Sequence, residues 1–458
     1  MELYSENNSY KLYHGNMLDL LEIIESWTID SIVTDPPYEL NFMGKGWDNS
    51  WIAFRKDTWE KCLKVLKPWW YLLAFGGSRT YHRIACAIED AGFEIRDCIM
   101  WLYGSWFPKS MNIWLAIDKK NWVESEVVWE WKSGASWTHT RTMNSETKEW
   151  KSVFWWEYQI KKANNKWAWR WTSLKPSYEP IIVARKPLEW SCTDNVIKYW
   201  VGGINIDECR VGTETHKVNI NDFSNQHGNK FGNGEPIGKL GEKEITGRFP
   251  ANTILTYDES DFEEVCWWFP DTKSWSKMSF GSVRKAQPDN TYQLWFTKKE
   301  NSWQTAPDNY WDSGNASRYF YCAKASKRDR DEWLDKEWEK VNDGRNTAID
   351  NPFQRWETLR KNIHPTVKPT DLMQYLVRLV TPNGWTVLDP FNWSGSTGKA
   401  VMYENKDRNK NYKYIWIELT EEYLPIAKAR IEYVINKGIE KEKEEEKAEW
   451  LREQSLFF

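Results

Sequence analysis

Two separated blocks of the chain alternate short apolar runs with amphipathic stretches, and this alternation narrows the fold more than any other feature. In the first block, 31–34 reads as a buried strand, 58–66 as a helix, 71–75 as a second strand, 81–91 as a helix and 95–101 as a third strand. In the second, 371–380 is an amphipathic helix with Leu372, Met373, Leu376, Leu379 and Val380 on one face. A strand at 386–388, a helix near 398–404, a strand at 414–417 and a helix from 421 to about 435 follow. Strands alternating with helices predict an α/β fold with a mostly parallel sheet covered on both faces. Between the blocks, from about 121 to 347, the pattern dissolves into polar sequence rich in Asn, Gly, Ser and Thr, with short strands at 180–184 and 252–255.

Length and charge bound what such a chain can do. Its 458 residues suffice for a large α/β domain and a second region. Lys and Arg number 62 against 66 Asp and Glu, a net charge of -4, so any contact with nucleic acid must be a local patch. Lys324, Lys327, Arg328 and Arg330 form one candidate; a solvated helix face is the other reading of that run. The seven cysteines are scattered without a C-x-x-C pair and the six histidines lack metal-ligand spacing, which predicts free thiols and no metal site. The polar start and the absence of a run of roughly 18 apolar residues predict a soluble cytoplasmic protein without a membrane span.

Tryptophan occurs 34 times and glycine only 24 times, an inversion of ordinary usage. Many tryptophans stand where the local chain calls for a residue without a side chain. In Lys67-Pro68-Trp69-Trp70 two indoles follow a proline just before an apolar strand, and Trp393 interrupts the small-residue loop Asn392-Trp393-Ser394-Gly395-Ser396-Thr397-Gly398. UGA codons that some bacterial codes read as glycine, translated here as tryptophan, would produce this pattern; a genuinely tryptophan-rich chain is the alternative. Trp47, Trp59 and Trp101, in apolar or aromatic settings, read as true tryptophans.

Asp35-Pro36-Pro37-Tyr38 follows the first strand directly, at the carboxyl end where open α/β sheets build their sites. An exocyclic amino group on a base is a poor nucleophile because its lone pair is delocalised into the ring. A carboxylate and a rigidly held carbonyl that accept its N–H bonds localise that pair, and Asp35 and Pro36 supply both. Tyr38 offers a face on which a base taken out of a duplex could stack. By itself the tetrapeptide could be a turn. Downstream, however, Leu388-Asp389-Pro390-Phe391 runs from a strand into the small-residue loop at 392–398, and Glu418 ends the next strand, placed to bind ribose hydroxyls. The Asp389-to-Glu418 spacing of 29 residues and the lack of G-x-G-x-x-G disfavour an ordinary dinucleotide site.

This pair of motifs resembles the DNA N4-cytosine/N6-adenine amino-methyltransferases, in the permuted beta-type order that puts D-P-P-Y before D-P-F-x-G-S-G. His364-Pro365-Thr366-Val367-Lys368-Pro369 is similar to the family's H-P-T-x-K-P segment, which helps enclose S-adenosylmethionine. His14-Gly15-Asn16-Met17-Leu18-Asp19 resembles the segment that reaches the cofactor adenine, although the family commonly has Asp where Asn16 stands. Similarity continues through 103–110, 172–176, Glu179-Pro180 and 317–320. Where the family has glycine this chain has Trp69, Trp70, Trp106, Trp393 and Trp416.

The resemblance implies a Rossmann-like methyltransferase domain split into a catalytic half at 1–120 and a cofactor-binding half at 348–437. An inserted target-recognition region would occupy 121–347 and a charged tail 438–458. It implies Asp35, Pro36, Pro37 and Tyr38 as catalytic residues, and Asn16, Thr366, Lys368, Asp389, Pro390, Phe391, Ser394, Gly395 and Glu418 as cofactor-binding residues. The expected activity is methyl transfer from S-adenosylmethionine to adenine N6 in double-stranded DNA, with a cognate restriction endonuclease left open as partner. Cytosine N4 is the alternative base, and a catalytically inactive DNA-binding relative is the alternative class if the tryptophans are genuine.

Overall fold

The computed structural model describes residues 2–40, 46–103, 111–123, 127–132, 141–143, 150–152, 157–161, 167, 170–174, 177–189, 191–199, 203–222, 238–257, 271–273, 313–315, 321–324, 329–330, 339–341, 358–360, 362–364 and 366–437. The described residues contain one ten-stranded sheet. Its strands run, from one edge to the other, Glu2–Glu6, Tyr10–His14, Lys413–Glu418, Thr386–Asp389, Ser31–Thr34, Tyr71–Phe75, Tyr178–Arg185, Glu94–Tyr103, Thr253–Tyr257 and Tyr321–Lys324. From Tyr10–His14 to Tyr71–Phe75 the five neighbours are all parallel, whereas Glu2–Glu6 and Tyr178–Arg185 pair antiparallel with their partners. Tyr178–Arg185 and Thr253–Tyr257 thus belong to the central sheet, although both fall inside the span 121–347 expected as an insert.

The parallel strands are short and apolar because both faces are covered. On one face Ile32, Leu72, Ala74, Leu388 and Ile417 share a buried cluster with Met17, Leu20 and Leu21 of the helix Met17–Ile23, Trp59, Cys62 and Val65 of Lys56–Val65, and Ile84, Ala87 and Ile88 of Tyr81–Asp90. Alternation along the strands turns Val33, Leu73, Val387 and Tyr414 to the opposite face. There the helices Thr370–Val380, Ser396–Arg408 and 424–437 lie. Arg378 and Glu404, both buried, join the first two of these helices through bonds of 2.5 and 3.1 Å.

Gly398 permits the closest approach: a Cβ there would fall 2.2 Å from Ile431 Cδ1 and 2.5 Å from Tyr414 Cε1. Gly398→Val is therefore expected to lower stability by about 1–3 kcal/mol or more, read as a drop in the urea midpoint.

The chain divides into two compact units, one of residues 1–209, 252–256 and 322–458, the other of 210–251 and 257–321. The second contains the antiparallel pair Val211–Asp222 and Gly238–Arg248. No helix among the described residues is long and apolar enough to cross a membrane. The basic run at 324–330 and the tail at 438–458 lie largely or wholly outside the described residues, as do 104–110 and 317–320.

Candidate active site at the carboxyl edge

The chain leaves Ser31–Thr34 toward Tyr71–Phe75 on one side and leaves Thr386–Asp389 toward Lys413–Glu418 on the other. Ser31–Thr34 and Thr386–Asp389 are adjacent and parallel, so the loops after them diverge and open a crevice at a topological switch point. Thr34 closes its floor by donating to Asp389 Oδ1 at 2.7 Å.

Asp35 enters from one side of this crevice. Its Oδ2 accepts from Lys368 Nζ at 2.6 Å, and its buried Oδ1 has no hydrogen-bond partner among the described residues. Lys368 lies 3.5 Å from Glu179 Oε2, which accepts from the Tyr38 hydroxyl at 2.8 Å; Tyr103 reaches the other oxygen of Glu179 at 3.3 Å. The Lys368 ammonium also sits over the rings of Tyr38 and Phe75, at 5.3 and 5.0 Å. Burial pulls Lys368 down, but Asp35 and Glu179 together outweigh it and hold the ammonium above its usual range. Thr80 fixes the loop by donating to the Tyr38 carbonyl at 2.8 Å.

The opposite wall is the loop 390–395. Asp389 is spent within it: Oδ1 takes Thr34 and the Phe391 N–H, and Oδ2 takes Thr397 at 2.6 Å. Glu418, at the end of the neighbouring strand, accepts the backbone N–H groups of Trp393 at 2.6 Å and Thr420 at 2.7 Å. Arg430 binds the Ser394 carbonyl at 2.7 Å, and Gly395, at φ +76°, lies against Ala427.

Burial pushes Glu418 up to about 8, with the Thr420 and Trp393 amides offsetting only part of it, and likewise raises Asp389 to about 6. Between the ordinary carboxylate range and these values the folded chain keeps protons that the unfolded chain releases. The contribution of these two carboxyls to stability is therefore full below that range and is lost as pH rises toward 8. The buried His364, pulled down to about 3, opposes this slope below about pH 6.5, so urea midpoints are expected to fall between about pH 6.5 and pH 8, and Glu418→Gln to flatten most of that fall.

A cavity between the walls is lined by Asp35, Thr366, Lys368, Phe391, Trp393 and Ser394, among others. It has about 250 Å³ of free space even counting what opens to solvent, below the ~300–1,000 Å³ of ordinary ligand sites. The Trp393 indole explains the shortage. It bridges the crevice, donating from Nε1 to the Asp35 carbonyl at 2.6 Å and packing 5.4 Å from the His364 ring and 6.3 Å from Tyr423. The polar groups suit an adenosyl cofactor, with an acid at the strand end beside a small-residue loop; the space does not while the indole stands there.

Of the residues singled out in the sequence, Asp35, Thr366, Lys368, Asp389, Phe391 and Ser394 line this one cavity. Tyr38 adjoins it through Lys368, and Glu418 through the Trp393 amide. Pro36, Pro37 and Pro390 are buried in the two loops. Asn16 is not drawn in: its side chain caps the helix Met17–Ile23, accepting from Leu18 N at 3.0 Å, although Gly15 N binds the Glu418 carbonyl. The sequence singles out Glu179-Pro180 only as one of the stretches similar to the family, without a role; the structure brings Glu179 to Lys368 and Tyr38.

The fold is a Rossmann-like α/β fold, a mostly parallel sheet with helices on both faces. Residues 256–429 match the N6/N4 methylase family model, described as DNA methylase. The type II methyltransferase M.HpaI of Haemophilus parainfluenzae is 31% identical over 102 residues, 20% of this chain and 32% of that protein. M2.LlaDCHI of Lactococcus lactis subsp. cremoris is 26% identical over 208 residues, 40% of this chain and 74% of its own. M.HindIII of Haemophilus influenzae is 23% identical over 172 residues, 37% of this chain and 40% of its own. The chain thus spans a third of M.HpaI and two fifths of M.HindIII. Over these stretches the chain is similar to DNA methyltransferases.

Proposed function

We propose that the protein methylates an exocyclic amino group in double-stranded DNA, adenine N6 in preference to cytosine N4, with S-adenosylmethionine as the methyl donor. The observation that carries this reading is the placement of Asp35-Pro36-Pro37-Tyr38 at the switch point, with Asp35 Oδ1 buried and without a partner among the described residues. A carboxylate oxygen in that state is an acceptor waiting for a donor, and a base amino group is a donor of the right kind. Asp35 and the Pro36 carbonyl would take the two N–H bonds and turn the nitrogen lone pair out of the ring. Lys368 and Glu179 would hold Asp35 and Tyr38 in place, and Tyr38 would stack the flipped base. The parts of 121–347 outside the central sheet would carry the groups that read the DNA sequence. An aspartate rather than a serine at the head of the motif favours adenine.

A second reading rests on Trp393: with the indole across the crevice the chain as written is a DNA-binding protein without a methyl donor. Incubating unmethylated duplex DNA with methyl-labelled S-adenosylmethionine, using the chain as written and its Trp393→Gly form, separates the two. Label entering DNA with the variant supports the enzyme; label with neither form favours the binding protein.

A further inference from the structure

Seven residues other than glycine have left-handed backbone among the described residues, and five of them are tryptophans: Trp27, Trp51, Trp69, Trp122 and Trp393, with φ between 51° and 72°. A Cβ disfavours that region, and a bulky indole has no side-chain hydrogen bond to offset it as Asn does. Chance does not concentrate tryptophan there.

Three of the five occupy local motifs whose geometry calls for glycine. Pro68 and Trp69 are the central residues of a turn closed by Trp70 N to Lys67 O at 3.4 Å, with φ +72° at the second of them, the glycine position of a type II turn. At the end of the helix Ile113–Lys120, Trp122 N bonds Lys119 O and Val123 N bonds Asp118 O. That is a Schellman cap with tryptophan at its left-handed position, and the ring is 94% exposed, so packing does not hold it there. Trp393, at φ +51°, follows Asn392 in a turn closed by Gly395 N to Asn392 O at 3.0 Å.

The buried indoles divide in the same way. Trp59 donates to Ala53 O at 2.9 Å and Trp101 to Thr256 Oγ1 at 2.7 Å. Trp69, Trp70 and Trp416 bury their Nε1 without a partner among the described residues, which a native indole rarely does.

We propose that positions 27, 51, 69, 122 and 393 are glycine in the functional protein, and that glycine at 393 is what opens the cofactor cavity. The second half rests on the methyltransferase reading; the first does not. UGA codons decoded as glycine in the source organism would account for all five positions at once.

Two measurements on the full chain, with mass spectrometry of the native protein, test this. Trp122→Gly, at a helix end and not among the residues that line the cavity, should raise the melting temperature by roughly 2 °C or more, where an exposed substitution to glycine ordinarily lowers it. Calorimetric titration with S-adenosylmethionine should show binding to Trp393→Gly and none to the chain as written. Native peptides should carry glycine at 122 and 393. A stabilised Trp122→Gly together with a Trp393→Gly that binds nothing would uphold the glycine positions and overturn the cofactor assignment. A destabilised Trp122→Gly, or tryptophan in the native peptides, would overturn the proposal whatever the site binds.

Discussion

Asp35→Asn, made in the Trp393→Gly protein, is expected to lower methyl transfer to DNA by about 10²- to 10³-fold while leaving the binding of S-adenosylmethionine unchanged. The amide keeps the shape of the carboxylate but loses its charge, and half of its polar end becomes a donor facing the donor it should accept from. Asparagine can still accept from Lys368, which also keeps Glu179 at 3.5 Å, so the loop has no reason to move. Single-turnover transfer measured beside calorimetric binding distinguishes this from a folding defect, which would lower both.

Lys368→Met should be the most damaging substitution for stability. Lys368 is 7% exposed at its side chain and lies between Asp35 and Glu179, as the ion-pair partner of both carboxylates among the described residues. Removing the cation from such a site costs about 3–5 kcal/mol, because the carboxylates remain buried and uncompensated. The melting temperature should fall on the order of 10 °C. Adding Glu179→Gln should recover part of the loss, since one of the two stranded charges is then gone, and a double-mutant cycle should show coupling between the positions. Additive losses would mean that Lys368 acts through packing on Tyr38 and Phe75 alone.

The parts of the fold that sequence reveals are those whose pattern is local. The strand expected at 71–75 occupies the same residues in the structure, and the helix expected at 371–380 starts one residue earlier, because each is a compact apolar signal with clear ends. The strands Glu2–Glu6 and Tyr10–His14 leave no such signal: the first is mostly exposed, and neither carries an apolar run. Tyr178–Arg185 is legible as a strand, but its landing between Tyr71–Phe75 and Glu94–Tyr103 is not, since nothing in a strand states its neighbours. That landing is what brings Glu179 opposite Trp101 and within reach of Tyr38 and Lys368. The site is accordingly legible as two loops, at 35–38 and 389–395, and not as the network of charges that joins them. The sequence points to Lys368 through the cofactor segment; in the structure its partner is Asp35.

The central claim is that the Asp35 crevice serves an exocyclic amino group. Its most direct test is nucleoside mass spectrometry of unmethylated duplex DNA after incubation with S-adenosylmethionine and the Trp393→Gly protein. N6-methyladenine is the expected product. N4-methylcytosine would keep the site and change the base. Methyl groups on cytosine C5 alone, or none in DNA although the protein binds S-adenosylmethionine, would contradict the claim.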